Sequence, residues 1–138
     1  MKTRNSLLFA SLTLFLTSCH PGTQVYVVNN TGLTVTVVSL DTELTGTPYT
    51  VAINQTVRIK VPYKLRVQRG SEIWNYDIPN VRLPEKYRKR ISGNWFLEKV
   101  QIEMDGTINH LYADQRGPVD QPPEQPTGYP IRPRKSQQ

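Results

Sequence analysis

Ten lysine and arginine residues fall between positions 58 and 90, where only three acidic residues accompany them. Seven of these bases are candidates for binding: Arg58, Lys60, Lys64, Arg66, Arg88, Lys89 and Arg90. The first four recur at even positions of an alternating run, so an extended strand would project them from one face. Such a face attracts lipid phosphates, lipopolysaccharide, an acidic glycan or an acidic protein. The alternative is a solvated outer face whose lysines protect a sheet edge from aggregation.

Residues that could catalyse a reaction or hold a metal are few and scattered. The chain has two histidines, His20 and His110, and a single cysteine, whereas metal sites and nucleophilic centres need clustered groups. His110 lies on a predicted strand, where we expect it to face solvent. The strand carboxylates Asp77, Glu98 and Glu103 could pair in a cleft, so a hydrolase stays open as an alternative. The sequence otherwise predicts no enzyme, no cofactor and no metal site.

The single cysteine, Cys19, follows a leader-like segment. Lys2 and Arg4 precede an uncharged, mostly apolar run over residues 6–16. This run suits the hydrophobic part of a signal peptide and is too short to span a bilayer as a helix. It ends in Leu-Thr-Ser-Cys at positions 16–19, which is an aliphatic residue, two small residues and a cysteine.

Residues 1–19 thereby resemble the type II signal peptide and lipobox of bacterial lipoproteins. The resemblance implies that residues 1–18 are removed, that Cys19 carries a diacylglycerol on its thiol, and that its new amino group is acylated as well. Two or more acyl chains hold a protein stably on a membrane. Residues 19–22 would form a short tether to the folded part. An ordinary secretory leader with a chance cysteine is the alternative.

The resemblance also bears on location, because His20 follows the cysteine. In bacteria with two membranes, an aspartate at this position tends to retain a lipoprotein in the inner membrane. Histidine therefore favours the periplasmic face of the outer membrane, if the source has two membranes.

Residues 23–113 have the pattern of a small β domain, because β-branched and aromatic residues alternate with polar ones. Turn residues divide this segment into four predicted hairpins, which pair residues 24–29 with 33–40, 48–53 with 56–61, 64–69 with 72–78, and 95–104 with 107–113. The expected fold is all-β: an antiparallel β-sandwich or small barrel of about eight short strands.

The sequence also predicts the structure of the segment between the third and fourth hairpins, and the strand register at the turn of the fourth hairpin. Pro84 and Gly93 bracket residues 85–91, which we expect to form a short connecting helix. A two-residue turn at Asp105 and Gly106 would place His110 opposite Gln101 on the more polar face.

Residues 114–138 contain six prolines and show no apolar periodicity. This composition predicts a disordered, proline-rich tail with polyproline II character. The tail would be a spacer, or a segment that docks into a groove of a partner.

These features favour a non-catalytic accessory lipoprotein of the bacterial envelope, attached to the membrane through its lipid. It would bind another envelope component, such as a protein complex, through its β domain or its tail. A binding module that holds an anionic glycan or lipid on the basic face is the second hypothesis. Nucleic acid is not expected as a partner at that location.

Overall fold

The structure, a computed structural model, describes residues 22–41, 47–60 and 63–135, with Lys135 described by its backbone alone. The predicted leader and Cys19 lie outside the described residues. The described part contains ten β-strands: β1 (Thr23–Asn30), β2 (Val35–Ser39), β3 (Tyr49–Val51), β4 (Thr56–Lys60), β5 (Lys64–Arg69), β6 (Glu72–Asp77), β7 (Arg88–Ser92), β8 (Trp95–Glu103), β9 (Ile108–His110) and β10 (Arg134–Lys135). One 3-10 turn, Glu85–Tyr87, precedes β7.

Two sheets pack face to face, which confirms the all-β prediction. The first has the strand order β4-β1-β8-β7, with β9 also paired to β8, and the second has the order β10-β6-β5-β2-β3. Both contribute to one apolar core, to which Val27 and Val100 belong from the first sheet and Val37, Val67 and Trp74 from the second. Each fully buried valine contributes about 1.5–3 kcal/mol of transfer free energy.

β1 and β8 pair in parallel at the centre of the first sheet, from Thr23 opposite Phe96 to Asn30 opposite Glu103. The sandwich is therefore mixed and not purely antiparallel. Parallel neighbours begin at the same end of a sheet, and β7, which is antiparallel to β8, finishes there. We call this end, marked by Gly22, Ser92 and Trp95, the proximal end.

The two later hairpins are confirmed and the two earlier ones are wrong. β5 pairs with β6, and β8 with β9. β1 and β2, like β3 and β4, lie in different sheets. The reason is Asn29, a fully buried side chain whose Nδ2 donates to the carbonyls of Leu33 (2.8 Å), Val51 (2.9 Å) and Ala52 (3.1 Å). These bonds make both turns crossovers between the sheets.

The turn between β8 and β9 is one residue longer than predicted. The Glu103 N–H donates to the Thr107 carbonyl and the Gly106 N–H to the Glu103 carbonyl, both at 2.9 Å, while Gly106 has φ +84°. The resulting register places His110 opposite Val100. A one-residue shift exchanges the two faces of a strand. His110 is consequently 0% exposed, and its predicted solvent-facing position is wrong.

Asp105 stabilises this turn from its side chain. Its carboxylate accepts hydrogen bonds from the Thr107 N–H (2.8 Å) and hydroxyl (3.0 Å). The N–H bond is the main cause that lowers the pKa of Asp105.

The predicted helix over residues 85–91 is replaced by the 3-10 turn and by β7. The helical hydrogen bonds are limited to one turn, in which the Tyr87 N–H donates to the Pro84 carbonyl at 3.0 Å and the Arg88 N–H donates to the Glu85 carbonyl. From Arg88 onward the chain is extended and pairs with β8, from Arg88 opposite Glu98 to Ser92 opposite Trp95. Sheet pairing satisfies those backbone groups of this segment that face β8. Two helical turns would leave most of its backbone groups without a partner.

Residues 114–135, which we call the C-terminal strap, are ordered against the sandwich, so the prediction of a disordered tail is wrong for them. The strap begins on the outer face of the first sheet, where Gln101 exchanges two 2.8 Å hydrogen bonds with the Val119 backbone. Ile131 then bridges to Ile108, and β10 pairs with β6. The folded unit therefore extends from residue 22 to 135 and does not end at 113.

Side chains of the body and the strap explain why a proline-rich segment is held. A polyproline-like chain makes no internal hydrogen bonds, so the strap depends on bonds to the body. The Gln125 side chain accepts a hydrogen bond from the His110 N–H at 2.7 Å and donates one to the His110 carbonyl at 3.1 Å. Tyr129, 9% exposed, joins the core. Proline also lowers the conformational entropy that is lost when a segment becomes ordered.

We predict that Tyr129→Ala lowers the free energy of unfolding by about 3 kcal/mol or more, because it removes a buried aromatic ring. Thr127→Ala, at an exposed strap position, should change it by less than about 0.5 kcal/mol. Chemical denaturation of both variants checks this. Equal stability of Tyr129→Ala and the parent chain would mean that the strap does not pack on the body.

A second prediction concerns the contact between the strap and the β8–β9 turn. Gly106 and Gly32 have similar φ values, +84° and +78°, but an added Cβ would lie 2.8 Å from Pro133 Cγ at Gly106 and meet nothing within 4 Å at Gly32. Gly32→Ala should cost about 1 kcal/mol from its backbone conformation alone. Gly106→Ala should cost roughly 1–3 kcal/mol more, because it also overpacks the interior. Thermal unfolding of the pair measures the difference, and equal losses would contradict the contact.

Candidate anion-binding site

The structure separates the four bases that were predicted to share a face. Arg58 and Lys60 project from the outer face of β4 in the first sheet, next to Tyr26 and Gln24 of β1. Lys64 and Arg66 project from the outer face of β5 in the second sheet. The alternation was correct, but the chain changes sheets between Lys60 and Tyr63, so the two pairs lie on opposite sides of the sandwich.

The other three predicted bases come together with two more at the edge of the first sheet. Arg88, Lys89 and Arg90 lie on β7, which among the described strands pairs with β8 alone. They border a groove of about 1060 Å³ that we call the β7 groove; its lining residues are Arg82, Glu85, Lys86, Arg88, Lys89, Arg90, Phe96, Tyr112, Ala113 and Asp114. Five bases face two carboxylates there, so the potential in the groove is positive.

A second cavity of about 390 Å³ adjoins the β7 groove. It shares Arg82, Arg88 and Phe96 with the groove. Thr23 and Asn94, which also line it, place it at the proximal end of the sandwich. Arg88 therefore stands between two concave spaces and can be approached from either.

The Arg88 guanidinium lies over an aromatic ring. Its Cζ lies 4.2 Å from the centroid of Phe96. Its Nε is buried, and neither a hydrogen bond to Nε nor an ion pair to the guanidinium is found among the described residues. A buried N–H without an acceptor costs about 1–3 kcal/mol. Stacking fixes the fork of N–H donors that arginine presents to a carboxylate or a phosphate.

Glu98, the cross-strand neighbour of Arg88, is engaged elsewhere. Its Oε2 lies 3.4 Å from Nε2 of the buried His110, whose Nδ1 donates to the Leu111 carbonyl at 2.8 Å. The rings of Tyr87 and Tyr129 pack edge-on against His110, with centroids 5.4 and 5.0 Å away. Burial, and then the charge of Glu98, raises the pKa of Tyr129. This packed cluster supports the inner side of the site, and no ion pair joins Glu98 to the Arg88 guanidinium.

Two bases on the rim of the groove, Lys86 and Arg90, have defined contacts. Lys86 Nζ lies 5.1 and 5.4 Å from the ring centroids of Tyr87 and Tyr112, and 3.4 Å from the Glu124 carboxylate of the strap. Desolvation lowers the pKa of Lys86, but the Glu124 hydrogen bond and the nearby acidic groups outweigh it and raise the pKa. Lys86 is therefore cationic at neutral pH. Arg90 donates from Nε to the Gly93 carbonyl at 2.8 Å.

The carboxylates considered for hydrolysis do not converge. Asp77, in the second sheet, pairs with Arg134. Glu98 contacts His110, while Glu103 accepts hydrogen bonds from Asn30 (2.7 Å) and Gln101 (2.8 Å). Among the residues in the described ranges, no group of three or more histidine, cysteine or carboxylate side chains could hold a metal ion.

Sequence reasoning missed part of the site. Arg82 and Lys86 stood within the basic stretch, but nothing in their local pattern placed them beside β7. Phe96 and Tyr112 carry no local signal, because their roles follow from the pairing of β8 and from the return of the chain at Ala113, whose N–H donates to the Lys86 carbonyl at 2.9 Å.

Comparison with known protein families, with curated proteins and with solved structures finds no match for this chain. In the part of the chain that the structure describes, no helix is long and apolar enough to cross a membrane.

Proposed function

We propose that this chain is a lipid-anchored, non-catalytic accessory protein of the bacterial envelope, and that it holds an anionic envelope component in the β7 groove. The observation that carries the proposal is Arg88. Its guanidinium is stacked on Phe96 between two concave spaces, its Nε has no acceptor within the described residues, and four further bases surround it.

The structure bears differently on the two binding hypotheses, docking through the tail and binding of an anion by the bases. The predicted free tail is a strap that packs on the body, which removes the support for docking through a flexible segment. The basic face of four residues is divided between two sheets. The β7 groove remains as the place where bases converge around a concave surface, so the anionic-ligand hypothesis is preferred to a tail-mediated protein contact.

The lining of the groove points to the class of ligand. Carboxylate and phosphate groups match the arginine fork, and the exposed parts of Phe96 and Tyr112 offer apolar surface for a sugar ring or a short aliphatic group. Glu85 and Asp114 in the same lining oppose a long, continuous polyanion. An acidic or phosphorylated glycan, free or attached to a lipid, combines these properties, whereas nucleic acid does not.

We predict that Arg88→Gln weakens the binding of a phosphorylated disaccharide at least tenfold, equivalent to about 1.4 kcal/mol, because it removes the charge and the fork together. The matched control is Arg58→Gln on the opposite side of the first sheet, which should bind as the parent does. Isothermal titration calorimetry measures both variants, with an oligoglucuronate as the carboxylate counterpart.

The affinity should also fall as salt is added, because at physiological ionic strength the interactions of exposed bases on the rim are largely screened beyond about 8–10 Å. Equal weakening by Arg58→Gln would indicate diffuse attraction and no site at Arg88. Undiminished binding by Arg88→Gln would refute the assignment of the groove.

The anchor is tested separately. Cys19→Ala should prevent lipid attachment and leave the protein unprocessed or soluble in the exporting compartment, because the acyl chains that would hold it on the membrane are missing. Mass spectrometry of the mature protein should find residue 19 as its amino terminus, carrying diacylglycerol. A free thiol, another start site or normal membrane fractionation of Cys19→Ala would contradict the anchor.

A further inference from the structure

The hairpin between β7 and β8 exposes apolar side chains beside bases at the proximal end. Ile91 is 44% and Trp95 39% exposed, and both flank the turn at Gly93 and Asn94. Lys89 and Arg90 are exposed on the preceding residues of β7. An exposed tryptophan next to lysine and arginine is the combination found where proteins meet a lipid headgroup layer.

The same hairpin lies against the start of the described chain. The Phe96 N–H donates to the Gly22 carbonyl at 2.9 Å. Gly22 also packs on the Trp95 indole so closely that an added Cβ would lie 2.3 Å from the ring. Gly22 follows Cys19 by three positions, and three residue steps of an extended chain span about 10 Å. An anchor at Cys19 therefore keeps the hairpin within about 10 Å of the bilayer surface.

The opposite end of the sandwich has a different character. Its exposed apolar residues, Leu33, Ile53 and Met104, lie in turns at the far ends of β1, β3 and β8. Glu103 and Asp105 flank Met104 there. Acidic side chains are repelled by an anionic leaflet, whereas the bases beside Trp95 are attracted to it.

From these observations we infer that the tip of the β7–β8 hairpin, residues 91–95, rests in the headgroup layer of the bilayer that holds the lipid on Cys19. Trp95 and Ile91 enter the interface, and Lys89 and Arg90 contact lipid phosphates. The inference rests on the proposed lipid anchor. Contact at this point orients the sandwich, so that the neighbouring cavity beside Arg88, lined by Thr23 and Asn94, opens toward the membrane surface.

The experiment uses the two tryptophans of the chain. Trp74 is 2% exposed in the core, whereas Trp95 is at the hairpin tip. The mature, lipidated protein is reconstituted into phosphatidylethanolamine and phosphatidylglycerol vesicles that contain lipids brominated near the headgroup, and tryptophan emission is recorded. Trp95 should lose most of its emission, and the residual signal should equal that of Trp95→Phe, in which Trp74 alone emits and is not quenched.

Two variants make the readout specific. Lys89→Glu combined with Arg90→Glu should restore much of the Trp95 emission, because it repels the hairpin from anionic lipid. Met104→Glu, an exposed change at the opposite end, should leave the quenching unchanged and serves as the matched control. Circular dichroism confirms that each variant is folded.

Each negative result has its own meaning. Mass spectrometry showing no lipid on Cys19 would overturn the anchor and this inference together. A lipidated protein whose emission is quenched no more than that of Trp95→Phe would overturn the hairpin contact alone. Loss of glycan binding in Arg88→Gln with unchanged Trp95 quenching would leave both proposals standing as separate properties.

Discussion

The parallel pairing of β1 with β8 is the constraint on which the rest of the structure depends. A parallel pair cannot be joined by a tight turn, so the chain must leave β1 and return to the same end of the sheet before β8 is added beside it. Asn29 directs the first departure, because its side chain bonds to backbone carbonyls on both sides of the crossover. The six strands from β2 to β7 lie in this connection, and two of them, β4 and β7, join the first sheet. The pairing also brings Gly22, Phe96 and Ser92 to one end of the sheet.

The basic site follows from how the partners of β8 are arranged. β1 occupies one side along its whole length, while β7 and β9 share the other. β7 therefore remains an edge strand with room for an open groove, and its Arg88 meets Phe96 of β8. Lysine and arginine on an edge also guard against pairing with a second chain, but this role needs neither the stacking of Arg88 nor its buried Nε. The strap completes the rim through Glu124, which contacts Lys86.

Sequence patterns predicted two hairpins and the alternation within strands correctly. They failed where two different structures share the same local sequence pattern. Gly70 and Gly106 marked the two correct hairpins, and alternation along β5 identified Leu65 and Val67 as core residues. Alternation does not say to which sheet a strand belongs, and for this reason Arg58 and Arg66 were wrongly placed together. One extra turn residue exchanged the faces at His110. A free tail and a packed strap can have the same proline-rich composition. Whether the segment packs depends on partners distant in sequence, such as Gln101.

The start of the described chain, and with it the proposed attachment point, shares one end of the sandwich with the basic hairpin. The single cysteine allows a direct measurement, because a nitroxide label on the free thiol of Cys19, in a chain that begins there, broadens nearby resonances in an NMR spectrum. We expect strong broadening of the Trp95 indole and of residues 91–94, with little effect on residues 103–107. Broadening centred on residues 103–107, or on β2 as the neighbour of β1, would contradict the parallel pairing and everything built on it.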